Sequence, residues 1–349
     1  MKLFTCDHCG NTVYFENALC ERCGHQLGYL PEHNALVSLV EDGGLWSTPA
    51  FTDDAYVFCE NTHHGACNWL IRAVPGGDLY CAACRHNETI PALADPLNLA
   101  RWQVIERAKK RLFYSLLRLG LPLETRAENP AHGLAFRFLA DTPVAPEPVL
   151  TGHDSGIITI ALAEADDAER EARRTGMGEP YRTLLGHFRH EIGHHYWDLL
   201  VQGQPAQARF RALFGDETAD YTAALQAYYA NGAPSGWPQT HISAYATAHP
   251  WEDFAETFAH YLHIIDTVEM AAAFGVRARP RDASLAVHVD FDPYLEPEIR
   301  HIVDNWIPLA SMLNNLNRAM GHPDAYPFVL TPQVIDKLGF VHDLVHARP

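Results

Sequence analysis

YRTLLGHFRHEIGHHYWDLL, residues 181–200, reads as one helix. Leu184, Leu185, Phe188, Ile192, Tyr196 and Leu199 recur at spacings of three and four that put apolar side chains on one face. Pro180 suits a first helical position, and Gly203 with Pro205 supplies a stop. Inside the stretch stands His190-Glu191-Ile192-Gly193-His194. Helical residues four apart lie one above the other, so His190 and His194 can aim their imidazoles at a single ion. Zinc is the natural guess: a catalytic zinc takes three protein ligands and keeps one position for water. Glu191 would then be placed to take a proton from that water. Because the chain holds 21 histidines, the pentapeptide alone can arise by chance, and a third ligand decides its meaning.

The longer HExxHxxGxxH pattern is excluded, since its glycine and third histidine would fall at Trp197 and Leu200. Two downstream segments offer a carboxylate. In GDETAD, residues 215–220, Asp216 and Asp220 are one helical turn apart, although Asp216 could instead cap a helix over 217–230. In HPWEDFAETFA, residues 249–259, a helix starting after Pro250 places Glu252 and Glu256 on one face. One of them can bind the metal while the other accepts a hydrogen bond from a ligand histidine. Glu252 is preferred as third ligand, with Glu256 behind it, because Ala255 and Ala259 on the same face let this helix approach its partner closely; Asp216 is the alternative. Tyr245, seven residues before Glu252, is near enough to donate a phenolic hydrogen bond to the oxyanion of a tetrahedral intermediate.

All eight cysteines fall in the first quarter of the 349 residues. Cys6 and Cys9, then Cys20 and Cys23, form two CxxC pairs that together make a four-cysteine zinc site. Cys59, Cys67, Cys81 and Cys84 make a second, less regular set, in which His63 or His64 could stand in for a cysteine. Two structural zincs are expected in a module over residues 1–95, whose folding energy comes from metal, with a catalytic domain over 96–349. The net charge is −17, and residues 1–90 carry Lys2, Arg22, Arg72 and Arg85 against eleven acidic residues, the wrong sign for phosphate contacts. A nucleic-acid partner is therefore not expected, and the ribbons read as a lid or a protein-docking module. No apolar run reaches membrane-span length and the first residues lack the apolar core of a signal peptide, so a cytoplasmic protein without a membrane partner is expected.

Between these regions a helix is predicted over about 99–119, its basic residues Arg107, Lys109, Lys110 and Arg111 forming a solvated face opposite Ile105, Leu112, Phe113 and Leu116. GLAFRFLA, residues 133–140, alternates as a strand before the Pro-rich turn TPVAPEP, and GIITIA, residues 156–161, reads as a second strand. A further helix over 298–320 carries Trp306, Leu309, Leu313 and Leu316 as its apolar face. His187 could line the cleft, His260 could lie behind Glu256, and neither these nor His195 and His263 are expected as ligands.

A cysteine-rich N-terminus followed by TGHDSGIITI, EPYRTLLGHFRHEIGHHYWD and HPWEDFAETFAHYLHIIDT resembles the bacterial zinc-binding metallopeptidases that carry an N-terminal zinc ribbon. The combination of HExxH, Tyr245, Glu252 and Glu256 is similar to that of gluzincins. The resemblance implies an α+β, mainly helical, zincin-like domain with His190, His194 and Glu252 as zinc ligands, Glu191 as base, Tyr245 as oxyanion partner and Glu256 behind the ligands. The expected activity is hydrolysis of peptide bonds in a peptide or protein substrate, with one catalytic and two structural zinc ions. The alternative is a zinc-stabilised interaction module whose HExxH site is inactive or structural. The presence of Glu191, which metal binding alone does not need, favours the hydrolase.

Overall fold

The computed structural model describes residues 2–141, 149–167, 170 and 183–347. The chain packs as two compact units, Met1–Gly152 with Gly156–Asp166, and His153–Ser155 with Asp167–Pro349. The architecture is α+β, with short strands near the N-terminus and a helical second unit.

In the first unit β1 (Phe4–Thr5) and β2 (Thr12–Val13) form an antiparallel pair around the first CxxC turn. β3 (Leu27–Leu30) pairs with β4 (Ala35–Ser38), and β5 (Val40–Asp42), β6 (Leu45–Thr48), β7 (Phe51–Phe58) and β8 (Leu70–Arg72) follow as an antiparallel meander. Such small sheets bury little of themselves, and an aromatic cluster supplies the core: Phe15 lies 4.8 Å from Tyr29 and 5.5 Å from Tyr114, and Tyr29 lies 4.9 Å from Trp69. Helix α1 (Pro96–Arg118) starts three residues before its sequence-based bound, because Asp95 accepts a hydrogen bond from the Leu97 N–H and Pro96 fits the first turn. β9 (Asn87–Thr89), β10 (Ala135–Leu139) and β11 (Ile157–Ala161) run parallel, with Phe136 opposite Ile158. Both strands expected from alternation are present; the turn TPVAPEP lies outside the described residues.

The second unit is built round α5 (Pro250–Ala273), most of whose side chains are buried. Helix α2 (Leu184–Leu200) packs against it where Gly193 meets Ala255: a Cβ on Gly193 would stand 3.0 Å from the Ala255 Cα and 3.2 Å from its carbonyl oxygen. The small-residue face read on α5 therefore does allow a close approach. The helix α2 begins at Leu184, where Thr183 accepts from the Gly186 N–H, and Pro180 lies outside the described residues. Around α5 stand α3 (Gln207–Phe214), α4 (Tyr221–Asn231), α6 (Ile299–Ala319) and α7 (Pro332–His346), with a two-stranded hairpin of β12 (Arg277–Ala278) and β13 (Val287–His288). Phe210, Phe214, Phe254 and Phe340 form the apolar centre. Two buried ion pairs pin α5 in register: Arg189 with Asp266, and Lys337 with Asp253 at 2.5 Å. On α6, Trp306 and Leu309 are buried as expected, but Leu316 faces solvent. Among the described residues no helix is long and apolar enough to cross a membrane.

Candidate metal centres

Helix geometry puts the rings of His190 and His194 on one face of α2, edge to face, with their Nε2 atoms 3.1 Å apart. From α5, Glu252 brings Oε2 to 3.0 Å from His190 Nε2 and 3.4 Å from His194 Nε2. Ligand atoms at zinc distances of about 2.0–2.1 Å, set tetrahedrally, would be about 3.3 Å apart. The three atoms therefore already have the spacing a metal requires. Glu252 is buried, yet among the described residues Oε2 has no hydrogen-bond partner, and an orphaned carboxylate oxygen facing two imidazole nitrogens is what a cation would satisfy. Burial opposes charge on Glu252, but the adjacent His194 and His190 outweigh it and hold the carboxyl well below the usual range.

The surrounding hydrogen bonds orient these ligands. Glu256 Oε1 lies 2.8 Å from His190 Nδ1, which directs the Nδ1–H to the carboxylate and leaves Nε2 free to ligate. Ser243 Oγ donates to the other Glu256 oxygen at 2.5 Å. The Tyr221 hydroxyl donates to Glu252 Oε1 at 2.6 Å. Trp251, one residue before Glu252, packs on the His194 ring with centroids 3.7 Å apart. Glu191 is largely buried on α2, and its charge helps to raise the Tyr221 hydroxyl pKa, an effect led by burial and by Glu252. The Tyr245 ring stands 5.9 Å from that of His190, and burial followed by the Glu252 charge keeps its hydroxyl protonated. Among the described residues this hydroxyl makes no hydrogen bond.

Asp216 does not join the group. Its Oδ1 accepts from the Thr218 N–H and hydroxyl, and the helix expected over 217–230 instead runs from Tyr221, capped by Asp220. His260 hydrogen-bonds Tyr326, His195 packs on Tyr196, and His263 packs on Trp306 and Tyr326. Tyr221, Ser243 and Trp251 were not singled out by sequence reasoning. Proximity of the latter two to Tyr245 and Glu252 was a usable signal; nothing in the local sequence marks Tyr221.

In the first unit the cysteines gather into two sets, Cys6, Cys9, Cys20 and Cys23, and Cys59, Cys67, Cys81 and Cys84. Sulfurs at about 2.3 Å from a tetrahedral zinc would be about 3.8 Å apart. Observed separations are 3.8 Å for Cys6 to Cys23, 3.6 Å for Cys9 to Cys20, 3.8 Å for Cys67 to Cys81 and 3.9 Å for Cys67 to Cys84. In the outer set each CxxC turn ends on a glycine at φ +73°, Gly10 and Gly24, whose N–H returns to the carbonyl of Cys6 or Cys20. That left-handed conformation explains the CxxCG form of both turns. The inner set is more deeply buried, and Cys59 and Cys67 each accept a backbone N–H, from Cys81 and Trp69. His63 and His64 lie outside both groups, so the possible histidine replacement is not used.

The basic cluster on α1 corrects the sequence reading. Lys109 and Lys110 are buried, not solvated, and both pair with buried Glu106, at 2.8 Å and 3.2 Å. Glu106 Oε2 lies 3.7 Å from Cys84 Sγ, and Lys110 also donates to the Ala66 carbonyl. Burial works against the Lys110 charge, but the thiolate of Cys67 with Glu106, Cys84 and Cys81 raises its pKa well above the ordinary value. These lysines are invisible to an amphipathic reading because they turn inward, Lys110 toward the cysteines and Lys109 onto Glu106 and the Phe136 and Phe138 rings, not toward water.

Comparison with known proteins agrees with this arrangement. Residues 98–344 match a family described as "Putative zinc-binding metallo-peptidase", and residues 3–95 match a zinc-ribbon domain. The chain belongs to that metallo-peptidase family, with an N-terminal zinc ribbon. The matched segments divide near residue 96, whereas compact packing groups α1, β10 and β11 with the cysteine-rich part. An uncharacterized protein of Mycobacterium bovis and two of Mycobacterium tuberculosis are each 43% identical over 348 residues, covering 99% of this chain and 95% of theirs. No solved structure matches.

Proposed function

We propose that the protein is a zinc-dependent peptidase of the gluzincin type, with His190, His194 and Glu252 holding the catalytic ion and the two cysteine sets holding structural zinc. The observation that carries this reading is the convergence of His190 Nε2, His194 Nε2 and the partnerless Glu252 Oε2 at separations of 3.0 to 3.4 Å. Bound there, zinc would supply Lewis acidity, lowering the pKa of water and polarising a carbonyl. Glu191, directly after the first ligand histidine on α2, would accept the proton of the attacking water and deliver it to the leaving amine. The protonated Tyr245 hydroxyl, uncommitted to any acceptor among the described residues, donates to the scissile carbonyl oxygen as charge develops on it. Glu256 keeps the His190 ring in the tautomer that presents Nε2, and Ser243 fixes Glu256. A peptide or protein is the substrate.

Metal content by elemental analysis, paired with cleavage of a mixed peptide library, tests the proposal. Three zinc ions in the wild type, two in Glu252→Ala, and cleavage abolished in a folded Glu191→Gln variant are expected. Two zinc ions in both wild type and Glu252→Ala, without cleavage, would overturn the reading and leave a zinc-stabilised interaction module.

A further inference from the structure

We infer that Tyr221 is the residue that fixes Glu252 as a one-oxygen ligand, and that the two tyrosines beside the site divide the work: Tyr221 serves the metal and Tyr245 serves the substrate. This rests on the proposed metal centre but not on the nature of the bond cleaved.

Glu252 has two oxygens in different surroundings. Oε2 faces both imidazole nitrogens, while Oε1 accepts the Tyr221 hydroxyl at 2.6 Å. A carboxylate free to rotate could offer both oxygens to a cation; one whose outer oxygen is hydrogen-bonded is held with a single oxygen inward, which preserves room for water on the ion. Tyr221 is well placed to be rigid. It is the first residue of α4, directly after the capping Asp220, whose side chain accepts from the Ala223 N–H at 3.0 Å. Its ring packs edge-on against His249 and Trp251, with centroids 5.3 and 5.7 Å away. His249 in turn caps the helix bearing Glu252, accepting from the Trp251 N–H, while its Nε2 lies 3.1 Å from the Ala219 carbonyl just ahead of α4. The start of α4 and the start of α5 are thus tied together at the ligand itself.

The helix YTAALQAYYAN contains no charged residue and no fully buried side chain, with Ala224, Leu225 and Tyr228 half-buried. Its contact with Glu252 through Tyr221 and the packing of Tyr228 on Tyr245, at 5.7 Å, connect it to the metal centre. The Tyr245 hydroxyl, by contrast, has no hydrogen-bond partner among the described residues and remains available to a substrate oxygen.

The test compares Tyr221→Phe and Tyr245→Phe in the full-length protein, each removing one oxygen. Zinc affinity at the third site is measured by competition with a chromophoric chelator, and the coordination of a cobalt(II) substitute is read from its visible spectrum. Tyr221→Phe is expected to weaken the third zinc roughly ten- to a hundredfold and to alter the cobalt spectrum. Tyr245→Phe is expected to retain wild-type zinc affinity and spectrum while losing turnover of any peptide the wild type cleaves. Unchanged zinc affinity and spectrum in Tyr221→Phe would overturn the inference, as would equal losses of zinc in both variants. Failure of the wild type to take up a third zinc would instead remove the proposed metal centre itself. Zinc binding without cleavage would leave the assignment of Tyr221 testable by the same titration.

Discussion

The inner cysteine set and the His190/His194/Glu252 group are both buried clusters of metal-ligating atoms, and what stands behind their ligands is of opposite sign. Behind the thiolates is Lys110, with Lys109 joined to it through the Glu106 they share. Behind the imidazoles is the Glu256 carboxylate, and Glu191 directly follows His190 in sequence. Charge explains the difference. A divalent ion held by four thiolates retains a net charge of about −2, whereas one held by two neutral imidazoles and a carboxylate retains about +1. Buried in low dielectric, either is costly unless an opposite charge lies close. The cysteine set is also complete with four ligands, while the histidine group offers three and leaves a position open. A closed, over-neutralised site suits structure, and an open cationic one suits activation of water.

The comparison can be broken most directly at the closed site. A structural zinc contributes on the order of 10 kcal/mol in small domains, comparable to the whole stability of about 5–15 kcal/mol of a typical fold. Cys81→Ala should therefore lose one zinc ion and unfold the first unit, seen as loss of its thermal transition. A variant that keeps its melting temperature would show that the inner set is not structural.

Lys110→Met keeps the aliphatic length but removes the charge, and should cost about 3 kcal/mol, the scale of breaking a buried ion pair. Denaturant unfolding of the zinc-loaded protein measures it, and the variant should also give up zinc from the inner set more readily to a chelator, because the thiolate charge then lacks its counter-charge. Unchanged zinc release would mean that Lys110 answers only Glu106.

At the open site, Glu256→Gln should weaken zinc tenfold to a hundredfold, or about 1.4–2.7 kcal/mol, through loss of the charged acceptor for His190 Nδ1. Competition with a chelator would read this, and unchanged affinity would remove the anionic half of the comparison. Gly193→Ala inserts a methyl where α2 and α5 nearly touch, and should cost about 1–2 kcal/mol while spreading the histidines from Glu252. Calorimetric unfolding together with zinc content checks it. Asp216→Ala should leave the zinc count unchanged, since that side chain is committed to Thr218.

Much of the candidate site was legible in the chain. His190, Glu191 and His194 are brought together by helical spacing alone, and each CxxCG turn places two sulfurs and a left-handed glycine within five residues. Glu252 and Glu256 could be read as a pair on one face of a helix, and their choice over Asp216 rested on the small residues around them and on Tyr245 upstream. The basic cluster on α1 was misread because amphipathic patterning assumes that charged residues seek water. It has no means of representing a buried anionic cluster that draws Lys109 and Lys110 inward.

Short-range geometry accounts for what the sequence by itself determined: the motif helix, the cysteine turns and the residue types able to hold zinc. The tertiary structure decided which distant groups complete those motifs. Glu252 reaches the histidines because Gly193 lets two helices close to contact, and Tyr221, thirty-one positions before Glu252, reaches its outer oxygen because α4 and α5 begin side by side. Lys110 reaches its thiolates across the forty-three residues from Cys67. No local propensity encodes such meetings. They follow from how helices pack once the backbone is already in place, where a difference of one side-chain length decides whether a carboxylate meets a metal, a phenol or water.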